Sequence, residues 1–95
     1  MEAINSISKE QFSAIRKAIL SAANSATKDV AEPYLETARA YRSQIRHVLT
    51  DYVDEQLCSA ISYAKDAAGR IKDKDRKLEH MELYLYKFKS DITLT

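Results

Sequence analysis

The chain carries one proline, Pro33, and one glycine, Gly69, in 95 residues. These two residue types supply most of the backbone conformations that tight turns require, so a chain this poor in both has few turns. The scarcity excludes turn-rich β architectures and the glycine-rich loops that bind phosphates or dinucleotides. We therefore expect an all-α protein, and the length suffices for a single helical domain over residues 1–95.

The first helix is predicted at residues 9–31. Ser8 and Gln11 have the spacing of a capping box, in which each side chain binds the backbone N–H of the other residue. Apolar residues then recur every three or four positions, which is the spacing of one helix face. Pro33 disfavours helical backbone at the residue before it, so the helix is expected to end there.

A long central helix is predicted at residues 33–69, because no helix-breaking residue lies between its ends. Pro33 suits the first position of a helix, and Gly69 suits the left-handed residue that follows one. The apolar face of the second half is rotated by roughly 80° from that of the first. Thr50 and the acidic residues after it have the character of a helix start, so a break near residue 50 that would give four helices is the alternative.

A third helix is predicted at residues 75–89, followed by an extended tail at residues 91–95. Apolar residues from Leu78 to Ile92 recur at a spacing of three or four, which favours a helix. The alternative is a strand, because β-favouring side chains alternate near the C-terminus. An isolated strand would have nothing to pair with in a helical chain, so we prefer the helix.

These helix lengths leave an incomplete core in a single chain. The first helix would cover one half of the central helix and the third helix the other half, so each half has one neighbour. A second copy of the chain would complete the small three-helix bundle, and we expect a homodimer. A four-helix monomer with a break near Thr50 is the alternative.

Charge and composition narrow the class of partner. Fifteen basic and fourteen acidic residues give a net charge of +1, which argues against a dedicated nucleic-acid binder.

The N-terminal Met1-Glu2-Ala3-Ile4-Asn5 has neither the basic flank nor the apolar core of a signal peptide. No segment reaches the roughly 18 apolar residues of a membrane span. We expect a cytoplasmic protein with no membrane partner.

The chemistry-bearing residues are few. Cys58 is the lone cysteine, which excludes an intrachain disulfide and a thiolate zinc cluster. His47, Asp51 and Glu55 would share one face of the central helix, but one imidazole and two carboxylates without a closing ligand do not predict a metal site. No Ser, Cys or Thr stands in a nucleophile motif. We expect no enzyme activity, no cofactor and no metal.

Three arginines at a spacing of three and four, Arg39, Arg42 and Arg46, form a ridge on the central helix. Like charges at this spacing repel by about 0.2–0.5 kcal/mol per pair, so an acidic group is expected opposite them. That group could belong to a second subunit, to a partner protein or to a phosphate backbone, since guanidinium groups suit all three. Within the chain itself, the candidates are Asp29, Glu32 and Glu36.

The sequence predicts a small non-enzymatic protein–protein interaction module that inhibits, adapts or assembles a larger partner. Tyrosine is enriched at interfaces, and Tyr86 is expected to face outward, while the tail residues Ile92 and Leu94 have no obvious place in the core. The candidate partner-binding residues are Arg39, Arg42, Arg46, Tyr86, Ile92 and Leu94. The alternative is a nucleic-acid-binding helical dimer that uses the arginine ridge, and a third hypothesis is a structural subunit of a larger assembly.

Overall fold

The computed structural model describes residues 4–95, so residues 1–3, on which the expectation of no leader partly rests, lie outside the described residues. The described chain is almost wholly helical. Its elements are, in chain order, β1 (Ser6–Ile7), α1 (Lys9–Ala23), α2 (Lys28–Ile45), a 3-10 turn (Arg46–Val48), α3 (Asp51–Ala67), α4 (Lys74–Ser90) and β2 (Thr93–Leu94). The expected all-α class is confirmed, but the division differs: residues 4–95 form four α-helices where three were preferred.

The first helix begins as its capping box predicts. The Ser8 hydroxyl accepts from the Gln11 backbone N–H, and the Gln11 side chain accepts from the Ser8 backbone N–H, both at 3.0 Å. The expected extent, residues 9–31, is wrong, because α1 ends at Ala23. There Asn24 and Ser25 donate from their side chains to main-chain carbonyls in the last turn of α1.

A second cap separates α1 from α2. The Thr27 hydroxyl accepts from the Val30 backbone N–H at 3.1 Å, so Thr27 starts a new helix four residues after the first has ended. Pro33 therefore lies inside α2 as its sixth residue, where it had been expected to start a helix. Because proline has no N–H, α2 lacks the hydrogen bond that residue 33 would donate to the carbonyl of Asp29.

The predicted continuous helix at residues 33–69 is also wrong, and the alternative of a break near residue 50 is confirmed. After the 3-10 turn, Leu49 and Thr50 are extended, and Thr50 caps α3 by accepting from the Val53 backbone N–H at 3.4 Å. Residues 46–50 are called the joint below. Because the joint reverses the chain, α3 folds back along α2 and covers part of its apolar face.

The four helices run up, down, up and down, as short connections between neighbouring antiparallel helices require. Helices α1 and α2 form one hairpin and α3 and α4 another, and α3 also packs against both helices of the first hairpin. The largest fully buried side chains come from all four helices: Ile15, Ile19, Leu35, Ile45, Leu57, Met81 and Phe88. Within residues 4–95, no helix has the length and apolar character needed to cross a membrane.

A short parallel ladder closes one end of the bundle. Ser6 pairs with Thr93 and Ile7 with Leu94, so the segment before α1 lies beside the tail that follows α4. The extended tail was expected, and α4 begins and ends within one residue of the predicted bounds 75–89. The pairing partner β1 was not expected, because two residues are too few to show a strand pattern.

Candidate functional site

The predicted arginine ridge lies on the second half of α2 and in the joint, and its charges are met within the chain. Arg39 binds Glu32 through Nη1 and Oε1 at 3.1 Å, and both side chains are about half exposed. Glu32 was one of the three carboxylates expected to face the ridge. An exposed pair of this kind contributes at most about 1 kcal/mol to stability.

Arg42 makes the strongest contact of the ridge. It donates from Nε to Oδ1 of Asp54 and from Nη2 to Oδ2, both at 2.8 Å. Asp54 lies in the first turn of α3 and is only 6% exposed. The hydrogen bonds from Arg42 hold the pKa of Asp54 below its usual range, against the opposing effect of burial. The same bonds raise the pKa of Arg42.

Arg46 binds three acceptors around the joint. It donates from Nη1 to the carbonyl oxygen of Leu49 at 2.9 Å, its Nη2 contacts Asp51, and its Nε lies 3.3 Å from Oδ2 of Asp54. The buried carboxylate of Asp54 thus lies between two guanidinium groups. Arg42 and Arg46 therefore hold the joint together through pairs within the chain, and the expectation that they bind a partner stays a prediction.

The tail residues Ile92 and Leu94 have a place in the fold that the sequence did not reveal. Both are half-buried and pack against the core, and Leu94 is held in the ladder with Ile7. The expectation that they bind a partner stays a prediction. Of the three apolar candidates for partner binding, Tyr86 is the one that stands out from the surface, at 70% exposed.

Tyr86 lines a groove between α1 and α4 of about 340 Å³. The two helices touch near one end, where the rings of Phe12 and Phe88 lie 6.2 Å apart, and they have few contacts elsewhere. Apolar side chains of both helices form the floor, and charged side chains stand at the sides. The lining residues are Phe12, Arg16, Leu20, Glu82, Leu85, Tyr86 and Lys89; they are called the α1–α4 groove below.

The charges of the α1–α4 groove are distributed along its length. Lys89 lies at the Phe12 end, with Nζ 6.0 Å from the Phe12 ring centroid. Because α1 and α4 are antiparallel, Glu82 lies toward the opposite end, beside Leu20. Among residues 4–95, Arg16, Glu82 and Lys89 take part in no ion pair. The groove therefore presents an unpaired cation at the Phe12 end, Lys89, a second in the middle, Arg16, and an unpaired anion toward the Leu20 end, Glu82.

The sequence did not indicate the α1–α4 groove. Phe12 and Leu20 were assigned to a core face or left unassigned, and Arg16 carried no signal of its own. The one sequence signal was the pair Tyr84 and Tyr86, which cannot both face inward on a helix. Tyr84 does turn toward α3, where its ring stacks on Tyr63 with centroids 5.7 Å apart, and this leaves Tyr86 in the groove.

Two other groups of potential chemical interest are structural in character. Burial raises the pKa of the Cys58 thiol, and the charge of Asp54 adds to the rise, so the thiol is a poor nucleophile at neutral pH. His47 lies in the 3-10 turn and does not share a helix with Asp51 and Glu55. Among residues 4–95, no group of three or more His, Cys, Asp or Glu side chains is close enough to hold a metal ion.

Comparison of the chain with protein-family models, with curated proteins and with solved structures gives no match.

Proposed function

We propose that this protein is a non-enzymatic interaction module and that the α1–α4 groove binds an amphipathic helix of a larger partner protein. The single observation that carries the proposal is the groove itself, in which the exposed Tyr86 and the half-buried Leu20 stand over the buried Phe12 and Leu85 between two helices. Exposed apolar surface rimmed by charged side chains is typical of protein interaction sites. A helix presents apolar residues at a spacing of three or four, which suits a groove of this shape.

The charges of the groove define the chemistry of that helix. Lys89 at the Phe12 end and Arg16 in the middle favour acidic residues, and Glu82 favours a basic residue toward the Leu20 end. A partner helix with apolar anchors, an acidic end and a basic end would meet all three charges. The proposed specificity is electrostatic, and it would fix the direction in which the helix lies.

Tyr86 is the residue we propose as the main anchor. It is large and well exposed in the groove, and its ring and hydroxyl permit both apolar packing and a hydrogen bond. Tyrosine is among the residues that carry most of the binding energy at interfaces. Leu83, which is also exposed on α4, would extend the contact beyond the groove.

The nucleic-acid alternative has less support. It relied on the arginine ridge, and the three arginines are paired with Glu32, Asp51 and Asp54. Binding to phosphate would require breaking those pairs, one of which is buried. The hypothesis of a structural subunit uses no particular surface, and no observation favours it over the groove.

The test is a tagged pull-down from lysate of the source organism, divided into nuclease-treated and untreated halves, with wild type and two matched variants. Tyr86→Glu places a charge in the groove, and Tyr52→Glu places the same charge at a tyrosine that is 65% exposed on α3. We expect a stoichiometric protein that wild type and Tyr52→Glu retain and Tyr86→Glu loses. Circular dichroism of both variants checks that helicity is unchanged.

A second pair of variants tests the charges. Arg16→Glu reverses a charge in the groove, and Lys17→Glu reverses the neighbouring charge, which lies on the α2 side of α1. We expect Arg16→Glu to weaken capture and Lys17→Glu to leave it unchanged. A captured protein that binds all four variants equally would reject the groove as the site. Recovery that disappears with nuclease would reject the protein-binding function in favour of nucleic-acid binding.

A further inference from the structure

The joint between α2 and α3 contains no residue that requires a break in the helix. Its sequence is Arg46-His47-Val48-Leu49-Thr50, without glycine or proline. Among residues 4–95, the positions with a positive φ are Asn5, Gly69 and Asp73, and none of them lies in the joint. Every residue of the joint can therefore adopt helical backbone without steric strain.

The buried side chains keep a helical spacing through the joint. From α2, across residue 49 and along α3, one set of them recurs at intervals of three, four or seven, as on one face of an uninterrupted helix. This set is Ala31, Leu35, Ala38, Ile45, Leu49, Val53, Leu57, Ala60, Ala64 and Ala67; Asp54, Gln56, Ile61 and Ala68 are also buried, so the buried face is wider along α3 than along α2. A straightened chain would therefore keep a connected apolar face, although that face is broader and partly rotated along the α3 half.

The break is held in part from outside the joint, by Asn5. Its backbone N–H donates to the carbonyl of Val48, and its Oδ1 accepts from the Thr50 backbone N–H at 2.9 Å. In a continuous helix the Thr50 N–H would bond to the carbonyl of Arg46, and the Val48 carbonyl would accept from residue 52. Asn5 thus satisfies two backbone groups that a straight helix would satisfy by itself.

The two hairpins are separable packing units. Helix α1 packs along α2, and α3 packs along α4, more extensively than either hairpin packs against the other. A hairpin that leaves its own chain would keep most of its contacts. It would regain the rest on an identical surface of a second copy.

We propose that two copies of this chain exchange α3–α4 hairpins through straightening of the joint. Residues 28–67 would then form one helix of about 60 Å, at about 1.5 Å per residue. Exchange of identical elements is a low-cost route to dimers, because the contacts inside each four-helix unit are the same in both forms. This proposal does not depend on the proposed function.

The exchange has a defined consequence for two sites. Arg42 would bind Asp54 of the partner subunit, since the two residues are far apart along a straight helix. Each α1–α4 groove would be built from α1 of one copy and α4 of the other. The dimer would therefore carry two complete grooves, each formed by residues of both subunits.

The first test uses proline at residue 51. Asp51 is the first residue of α3, where proline is tolerated, and Thr50 before it has φ −69° and ψ 159°, a conformation that proline accepts in its predecessor. In a straightened helix the same proline would remove a hydrogen bond and clash with the preceding turn. Asp51→Ala is the matched control, because it also removes the contact with Arg46 but permits both forms.

Each protein is refolded at millimolar concentration and its mass is measured by light scattering. We expect wild type and Asp51→Ala to yield a species of twice 10.8 kDa alongside the monomer. Asp51→Pro should lower the association constant by about a hundredfold for each joint that must straighten. Asn5→Ala, which removes the side-chain acceptor of the Thr50 N–H but keeps the backbone bond to Val48, should raise the dimer fraction. Monomer alone for wild type and Asn5→Ala, or equal dimer for Asp51→Pro and Asp51→Ala, would overturn the proposal.

The second test separates exchange from dimers that pack face to face. Arg42→Asp and Asp54→Arg each place like charges at the pair within a monomer. When the two variants are refolded together, exchange would bring the two substituted side chains, of opposite charge, together in one four-helix unit and restore the native pair in the other. We expect a mixed dimer that melts at a higher temperature than either variant alone. A mixture that shows no mixed dimer while wild type dimerises would contradict exchange.

Discussion

Arg42 and Asp54 form a two-bond ion pair from α2 to α3, with both N···O distances at 2.8 Å. The pair spans the joint, although neither residue belongs to it. Asp54 is buried, and Arg46 adds a second cation, with its Nε 3.3 Å from Oδ2 of the same carboxylate. The contact therefore fixes how α3 lies against α2, and the predictions below begin from it.

Removing Arg42 leaves a buried carboxylate without its main partner. Truncation of one member of a buried ion pair costs about 3–5 kcal/mol, and because the Arg42 side chain is about one-third exposed, we expect a smaller loss of about 2 kcal/mol for Arg42→Ala. The control is Arg39→Ala, which removes an exposed pair and should cost less than about 1 kcal/mol. Urea unfolding of both variants measures the difference, and equal losses would contradict this account.

The lowered pKa of Asp54 predicts that the stability of the protein depends on pH in the acid range. Its pKa is lower in the folded than in the unfolded protein, so its contribution is present above the ordinary value of about 3.9 and is lost as the pH falls through the folded-state pKa. Wild type should therefore lose stability as the pH falls below about 4. The Asp54→Asn variant should be less stable than wild type at pH 7. It should also lose less stability than wild type as the pH falls into the acid range.

Thermal unfolding between neutral and acid pH measures this effect. Arg42→Ala serves as a second comparison, because it removes the largest cause of the lowered pKa while keeping the carboxyl. Its acid dependence should also be weaker than that of wild type. Parallel curves for wild type and Asp54→Asn would show that Asp54 does not contribute to the acid sensitivity.

Cys58 should react slowly with alkylating reagents. Burial raises the pKa of its thiol, so the reactive thiolate is scarce at neutral pH. We expect iodoacetamide to modify the folded protein more slowly than the urea-unfolded protein, as followed by mass spectrometry. Asp54→Asn should react faster than wild type, because it removes a nearby negative charge that also raises the pKa. A folded protein that reacts as fast as the unfolded one would refute the prediction.

Gly69 is needed at the connection between α3 and α4. Its φ is +68°, and a Cβ at this position would lie 3.1 Å from Cα of Thr27 and 3.3 Å from the backbone nitrogen of Lys28. Gly69→Ala should therefore destabilise the protein by about 1–2 kcal/mol. Asp73 has a similar φ of 60°, so Asp73→Gly relieves strain and should not lower the melting temperature. If Asp73→Gly lost as much stability as Gly69→Ala, the explanation by backbone strain at positive φ would be contradicted.

Short-range signals in the sequence were sufficient to locate helix starts where a cap and an apolar pattern agree. Ser8 and Gln11 specify the start of α1, and Thr50 was identified as a helix start even though a continuous helix was preferred. At Thr27 the two signals disagree, because the apolar spacing continues past the cap. A tertiary contact favours the end of α1 before Thr27. The Gly69 backbone N–H donates to the carbonyl of Ser25, which lies between α1 and α2.

The functional surface was less accessible to sequence reasoning. The arginine ridge was visible as a pattern, but the carboxylate that meets Arg42 depends on how the chain reverses at the joint. The α1–α4 groove depends on how two helices distant in sequence pack against each other, and no local pattern encodes that packing. Tyr86 was identified because its neighbour Tyr84 has to occupy the opposite side of α4.

The parallel ladder determines the order in which parts of the molecule form and open. The bond from the Thr95 hydroxyl to the Ile7 carbonyl joins positions 88 residues apart, whereas each hairpin is built from contacts near in sequence. Closing so long a loop has an entropic cost that the hairpins do not share. We therefore expect the ladder to be the last element to assemble and the first to release, with amide hydrogens that exchange with solvent ahead of those in the helices.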